Sequence, residues 1–349
     1  MSETKRIRRI GVLTSGGDAP GMNAAVRAVV RAALTRGIQC VGIRRGYDGL
    51  IKSDFVMMHG QEVSHILTRG GTVLYTARSS DFMTEEGRKH AVRTCNLLGI
   101  DALVTIGGDG TFRGALELSR LGVPVVGIPA TIDNDVGCSN YTIGFDSACN
   151  TAIQCIDKLR DTMSSHERTS LVEVMGRGAG FLALYVGISV GATAVLLPDL
   201  KDKDGNPVPL DINRDLLDRI TEARLVGNTH FMVVVAEGVT KDRKLGEDVK
   251  DIYDLADKVK DAFGMKPTVT VLGHLQGGGS PTARDREMAS RMGYAAVKAI
   301  AEGRPNVIIG TAHGEIVEHP IEEALQMKKM LQMERYEVLE ALQNRVPRG

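Results

Sequence analysis

The sequence predicts an α/β protein made of two three-layer αβα domains that face each other across an active-site cleft. Three observations predict it. Short apolar runs rich in β-branched residues alternate with longer amphipathic segments, the pattern of a parallel sheet covered on both faces. Glycine-rich loops recur at 16–17, 107–110, 176–180 and 277–279, which suggests two related units. A chain of 349 residues is long enough for two domains with a large buried core.

Taken in order, residues 10–13 read as a first strand, 15–21 as a loop and 22–36 as a helix. Val26, Val29, Val30, Ala33 and Leu34 form that helix's apolar stripe, and Gly37 closes it. Further apolar runs predict strands over 41–44, 103–106, 123–128, 170–174, 194–197, 231–236, 269–272 and 307–309. One helix opens after 107–110, and long helices are predicted over 149–162, 211–223, 283–301 and 321–343. The polar stretch 201–207 is a surface loop. Residues 178–198 carry no charge, but Gly180, Gly187 and Gly191 with Ser189 and Thr193 fit a buried helix and strand better than a membrane span.

Composition narrows the function classes. Lys+Arg and Asp+Glu are equal at 43 each, so no net charge argues for nucleic acid or an anionic membrane. Tryptophan is absent, which weakens any case for stacking on single strands. Cys40, Cys95, Cys138, Cys149 and Cys155 are odd in number and lack a Cys-x-x-Cys pair, which points to reduced thiols and a cytoplasmic location. The basic start from Lys5 to Arg9 meets too few apolar residues to be a signal peptide. Gly187-Ile188-Ser189-Val190-Gly191 has nucleophile-elbow spacing without a sharp strand–helix turn, and is read as structural.

The chemistry gathers at strand ends. Gly107-Gly108-Asp109-Gly110-Thr111 follows a buried strand and opens a helix, where free N–H groups and the helix dipole favour phosphate. Asp109 is suited to hold Mg²⁺ beside that phosphate. The loop from Thr14 to Asn23 has the same setting, and neither loop fits the P-loop or dinucleotide fingerprint. Thr131-Ile132-Asp133-Asn134-Asp135 places two carboxylates at i and i+2, on one side of an extended segment; one could take a hydroxyl proton and the other sit near a metal. An Asx-type turn with solvated acids is the alternative there. Arg177, in Gly176-Arg177-Gly178, suits a migrating phosphoryl group through its planar fork. Arg78 would serve likewise if a family supports it. Glu237 and His274 stand at strand mouths, either as substrate contacts or as satisfied rim residues.

Together these residues resemble the bacterial-type ATP-dependent 6-phosphofructokinases, from the first strand to about Gly293. The resemblance rests on Gly16-Gly17-Asp18-Ala19-Pro20-Gly21-Met22-Asn23, on residues 107–111 and 131–135, on Ser164-Ser165-His166, on Glu173-Val174-Met175-Gly176-Arg177 and on Leu272-Gly273-His274. It implies two Rossmann-like domains, over 1–144 plus 276–326 and 145–275 plus 327–349, in a homotetramer with active sites at a subunit interface. It implies glycolytic phosphoryl transfer from Mg-ATP to the 1-hydroxyl of fructose 6-phosphate, with no nucleic-acid or membrane partner. Gly17, Arg78, Ser79, Gly108, Asp109, Gly110 and Thr111 would bind ATP, with Asp109 on Mg²⁺. Asp133 would be the base, with Thr131 and Asp135 beside it, while Arg78 and Arg177 stabilise the transferring group. Thr131, Ile132, Asp133, Met175, Gly176, Arg177, Glu237, His274, Leu275, Gln276 and Gly277 would line the sugar site. Arg168 would reach the 6-phosphate across the subunit interface. Gly110 with Ala130 resembles the ATP-using rather than the pyrophosphate-using type, since a carboxylate at 110 would crowd the α-phosphate.

Two departures bear on the acceptor and the effector. Thr268 and Gly277 stand where the family usually carries arginines for the 6-phosphate. Each lost charge-assisted contact costs about 1.5–3 kcal/mol, together roughly a hundredfold or more in affinity. Lys266, two residues before Thr268 and hence on the same strand face, or Arg284, nearby in sequence, would compensate in part. Otherwise the acceptor is another sugar, or the chain is a non-catalytic nucleotide- or sugar-binding subunit. Arg27, Arg31 and Arg160 match effector-site arginines, but Gly60 and Thr193 replace groups that contact the effector phosphate and its metal, so a weak or altered response to ADP and phosphoenolpyruvate is expected.

Overall fold

A computed structural model describes residues 6–202 and 204–343; Lys5 of the basic start, Lys203 of the polar loop and residues 344–349 lie outside the described residues. The strands among them are β1 (Arg9–Thr14), β2 (Gln39–Ile43), β3 (Phe55–Met58), β4 (Ala102–Gly107), β5 (Val125–Pro129), β6 (Thr169–Val174), β7 (Ala194–Leu196), β8 (Phe231–Ala236), β9 (Thr268–Val271), β10 (Val307–Ala312) and β11 (Glu315–Pro320). The chain divides into two units, Met1–Ser147 with Gly277–Lys329 and Ala148–Gln276 with Met330–Gly349.

The first unit holds a seven-stranded sheet ordered β11-β10-β5-β4-β1-β2-β3. Its interior pairings are parallel, and antiparallel β3 and β11 close the two edges. β4 and β5 are wholly buried, as expected of strands covered on both faces. One covering layer packs helix Met22–Leu34 on helix Ala283–Ala301. A Cβ at Gly293 would lie 2.6 Å from that of Ala28, so only glycine permits this approach. The core includes Leu13, Tyr47, Phe82, Leu103, Phe112 and Leu118. The second unit holds four parallel strands ordered β7-β8-β6-β9, with β8 wholly buried and β9 a half-exposed edge.

The uncharged stretch 178–198 is helix Phe181–Ser189 followed by β7, and no helix among the described residues is long and apolar enough to cross a membrane. The expected helix 321–343 is instead two, Ile321–Ala324 and Met333–Leu342. Between them residues 327–328 press on Gly137, so packing overrides local propensity. The expected helix 149–162 runs Phe145–Ser165. Its start is fixed from far along the chain, because the buried carboxylate of Asp285 accepts the N–H groups of Gly144 (2.7 Å) and Ser147 (2.8 Å) and the hydroxyl of Tyr141 (2.5 Å). Over 211–223 the chain makes a π-helical turn, Asn213–Leu217, before helix Asp218–Leu225.

Candidate active site

In the first unit β1 leads to β2 on one side and β4 to β5 on the other, so the chain diverges at the carboxyl ends of β1 and β4. Such a switch point opens a crevice for ligands. The two glycine loops meet there. Ser15 N donates to Ile106 O (3.0 Å), and Thr111 Oγ1 donates to Ser15 O (3.0 Å). Gly107 is fixed by packing, since a Cβ would lie 2.3 Å from Thr111 Oγ1 and 2.4 Å from Ser15 O. Gly17 and Gly110 face open space, and the nearest atom to a Cβ at Gly108 is on Thr131 at 3.9 Å. The fold makes no demand for glycine at these three positions; they leave a backbone-lined cradle at the start of helix Asp109–Arg120. No side chain caps that helix, and while Thr111 N already donates to Gly108 O (2.9 Å), the N–H groups ahead of it, at Asp109 and Gly110, precede the first intrahelical bonds and can meet an anion.

A third loop is tied to the cradle. Thr14 Oγ1 donates to Tyr75 O (2.8 Å) and Thr76 Oγ1 to Gly16 O (2.6 Å). Asn23, buried at the start of helix Met22–Leu34, donates to the carbonyls of Arg69 and Gly70 and accepts Val73 N (2.7 Å). The exposed Arg78 and the half-buried Ser79 follow within three residues of this anchor. The sequence quotes Asn23 within a motif without revealing its role, and Thr76 and Thr72, whose hydroxyl lies 2.9 Å from Thr14 Oγ1, carry no local signal.

Beside β4, the end of β5 presents Thr131–Asp135. The segment is a turn rather than the extended run expected from the i, i+2 spacing: Thr131 Oγ1 accepts Asp133 N (3.2 Å), and Asn134 has a left-handed φ of 52°. Asp133 is only 5% exposed. The carboxyl of Asp109 is held above the ordinary carboxylate range, first by burial and then by the negative charge of Asp135, with Arg113 acting against both. Two mutually repelling carboxylates beside an anion cradle are the donor set a divalent cation relieves. Among the described residues no group of three or more His, Cys, Asp or Glu forms a metal cage. A pair of carboxylates is a donor set of the size Mg²⁺ takes from a protein, together with phosphate oxygens and water.

In the second unit the turn after β6 carries Met175, Gly176 (φ 135°) and Arg177 (φ 52°). Two buried side chains hold its backbone. Gln276, 0% exposed, accepts Met175 N (2.9 Å), and Glu237 accepts Arg177 N (2.6 Å) while pairing with Lys241. Glu173 lies behind them. Thr240 Oγ1 donates to it (3.2 Å), and burial raises its carboxyl above the usual range. His274 and Leu275 lie exposed on a 3₁₀ turn, Gly273–Gly277, and Arg168 is exposed just before β6. Lys266 needs a correction. It precedes β9 rather than lying on it, separated from Thr268 by Pro267, and its ammonium pairs with Asp257 at 3.0 Å. Strand alternation therefore does not place it beside Thr268. Arg284 stacks on Tyr141, with its guanidinium 4.5 Å from the ring centroid.

Of the three expected effector arginines, Arg31 and Arg160 are engaged within the protein. Arg31 donates to Gly60 O (2.9 Å) and Ser64 Oγ (3.2 Å), and Arg160 donates to Val190 O. Among the described residues Arg27 Nε is buried without a hydrogen-bond partner.

A family model described as "Phosphofructokinase" matches residues 9–300. The chain is 48% identical over 337 residues to an ATP-dependent 6-phosphofructokinase of Clostridium novyi (strain NT), covering 96% of this chain and 99% of that protein. It is 47% identical, with the same coverage, to ATP-dependent 6-phosphofructokinase 1 of Clostridium perfringens (strain 13 / Type A). Among solved structures, phosphofructokinase from Saccharomyces cerevisiae superposes with a TM-score of 0.80 at 34% identity, covering 97% of this chain and 47% of that larger one. A pyrophosphate-dependent phosphofructokinase from Marinobacter aquaeolei shares the fold, with a TM-score of 0.79 at 20% identity over 96% of this chain and 91% of that one.

Proposed function

The chain belongs to the phosphofructokinase family, and from that premise we propose how its residues divide the reaction. It is an ATP-dependent 6-phosphofructokinase, a phosphotransferase with an alcohol acceptor that makes fructose 1,6-bisphosphate and ADP from fructose 6-phosphate and ATP. The relatives favour this over a kinase with a different sugar acceptor or a non-catalytic subunit. We further propose Mg²⁺ dependence, a cytoplasmic homotetramer with active sites at a subunit interface, and Arg168 serving the partner subunit's 6-phosphate site.

The cradle of Gly17 and residues 108–111 takes the triphosphate, with Arg78 and Ser79 at its side. Asp109, with Asp135 near it, holds Mg²⁺, which neutralises phosphate charge when bound. Asp133 accepts the proton of the sugar 1-hydroxyl as its oxygen attacks the γ-phosphorus, and Thr131 steadies the turn from which it acts. Arg78 and Arg177 stabilise the charge on the transferring group. Met175, Gly176, His274 and Leu275 line the sugar site with Ile132 and Gly277. Gln276 and Glu237 give that site its shape by holding the backbone of 175–177.

One observation supports the reading most: a glycine cradle with open positions at 17, 108 and 110 lies next to the repelling pair Asp109 and Asp135 and the buried Asp133. The test is coupled ADP release across a panel of sugars and sugar phosphates. Fructose 6-phosphate with ATP is expected to turn over, and Asp133→Asn to lower kcat by roughly 10²–10⁴. Undiminished turnover in Asp133→Asn removes the base assignment, turnover with pyrophosphate in place of ATP removes the donor assignment, and turnover only with another ketose removes the acceptor.

A further inference from the structure

Asn134 sits between Asp133 and Asp135 in a left-handed conformation that asparagine tolerates better than most residues. Its Oδ1 accepts Thr142 N at 3.1 Å and the ammonium of Lys329 at 2.7 Å. The same ammonium donates to Asn140 O at 3.1 Å. Nearby, a Cβ at Gly137 would lie 2.1 Å from Met327 O and 3.0 Å from Lys328 N, so the two backbones run flush. The turn carrying both carboxylates is thus closed from two directions, by Thr142 within its own loop and by a segment 195 residues further along. The chain passes into the second unit immediately after Lys329.

We propose that Lys329 is a positioning residue for phosphoryl transfer, acting through Asn134 to hold the turn that carries Asp133 and Asp135. The proposal rests on the reading of Asp133 as the base. Asn134 lacks freedom to wander while its oxygen accepts a charge-assisted bond, which is shorter and stronger than a neutral one. Without the ammonium, only neutral bonds from Thr142, its N at 3.1 Å and its Oγ1 at 3.4 Å, remain to oppose the strain of a left-handed residue. Small misplacement of a reacting group costs much more rate than stability, on the order of a hundredfold for 1 Å.

The test is steady-state kinetics with thermal melting of Lys329→Met, Lys329→Arg, Asn134→Gly and the double variant Lys329→Met with Asn134→Gly, beside Asp133→Asn. Glycine at 134 keeps the positive φ and removes Oδ1. Lys329→Met is expected to lower kcat about tenfold or more with KM for ATP within about twofold, and Lys329→Arg to restore most of it. The methionine is expected to add nothing in the Asn134→Gly background, as a shared pathway requires. Wild-type kcat in Lys329→Met, or an equal loss with and without Asn134, overturns the proposal. If Lys329→Met does not fold, Asn134→Gly decides: unchanged kcat there overturns it. An active Asp133→Asn overturns the base assignment beneath the proposal, whereas an inactive Asp133→Asn with an uncoupled Lys329→Met overturns the positioning role alone.

Discussion

Alanine at Gly110 and at Gly107 separates what a ligand demands from what the fold demands. A methyl at 110 meets no atom within 4 Å, and the backbone there needs no positive φ. Within the first turn of a helix, alanine is favoured over glycine by about 0.5–1 kcal/mol. Gly110→Ala is therefore expected to keep Tm or raise it by about 1–4 °C. The same methyl at 107 would sit 2.3 Å from Thr111 Oγ1 and 2.4 Å from Ser15 O, where the two loops are bonded together. Overpacking of that kind costs about 1–3 kcal/mol and lowers Tm. With residues 108–111 cradling the triphosphate as proposed, a methyl at 110 would displace one or two charge-assisted contacts worth about 1.5–3 kcal/mol each, so KM for ATP should rise at least about tenfold. Thermal melting and ATP titration of the coupled assay check both arms. A stable Gly110→Ala enzyme with wild-type KM for ATP refutes the reasoning, because the open position would then face no ligand.

The remaining predictions concern charge. Asp109 holds its proton more tightly in the native state than in the unfolded chain, so its ionised form weakens the metal-free fold; Tm in EDTA should rise as pH falls from neutral through its raised pKa. Asp109→Asn should flatten that rise and lower kcat by on the order of 10²-fold or more, which melting and turnover measure together. Gly277→Arg enters open space, the nearest atom to its Cβ being Asp18 O at 4.0 Å, and should lower KM for fructose 6-phosphate about tenfold while leaving KM for ATP unchanged. Asp285→Ala strands the N–H groups of Gly144 and Ser147 in the interior and should cost on the order of 3 kcal/mol or more by denaturant titration. Because Arg31 is bonded to Gly60 O and Ser64, ADP and phosphoenolpyruvate should change kcat/KM by less than about fivefold, the low end of ordinary allosteric coupling.

Much of the fold was legible because its signals are local. The wholly buried β4, β5 and β8 are continuous apolar runs. Of the edge strands, β3 has only four residues, one of them buried, too short a run to read, and β11 is half-exposed and of mixed polarity. Helix Glu85–Leu97 buries only Gly87, Ala91, Thr94 and Cys95, a stripe too small and polar to stand out. Helix Ile252–Phe263 had a readable signature, Asp251 capping its start and Gly264 its end, with Ile252, Leu255, Ala256 and Val259 on one stripe. At the site, the Gly-Gly-Asp-Gly cradle and the acidic turn were visible as residue types at strand ends. The extended geometry assumed for 131–135 failed because a threonine hydroxyl and a left-handed asparagine fold that segment back.

The amino-acid order alone determined where strands end, where backbone can approach an anion and which carboxylates stand at those ends, since periodicity and turn chemistry depend on neighbours a few residues apart. Only the tertiary structure decided that Gly107 is a packing glycine while Gly110 is not, that Gln276 and Glu237 grip the 175–177 backbone, and that Lys329 reaches Asn134. Each of those depends on which distant segment comes to rest beside a buried polar atom or an empty volume. A partner 60 to 195 residues away leaves no mark on the local pattern that a sequence displays.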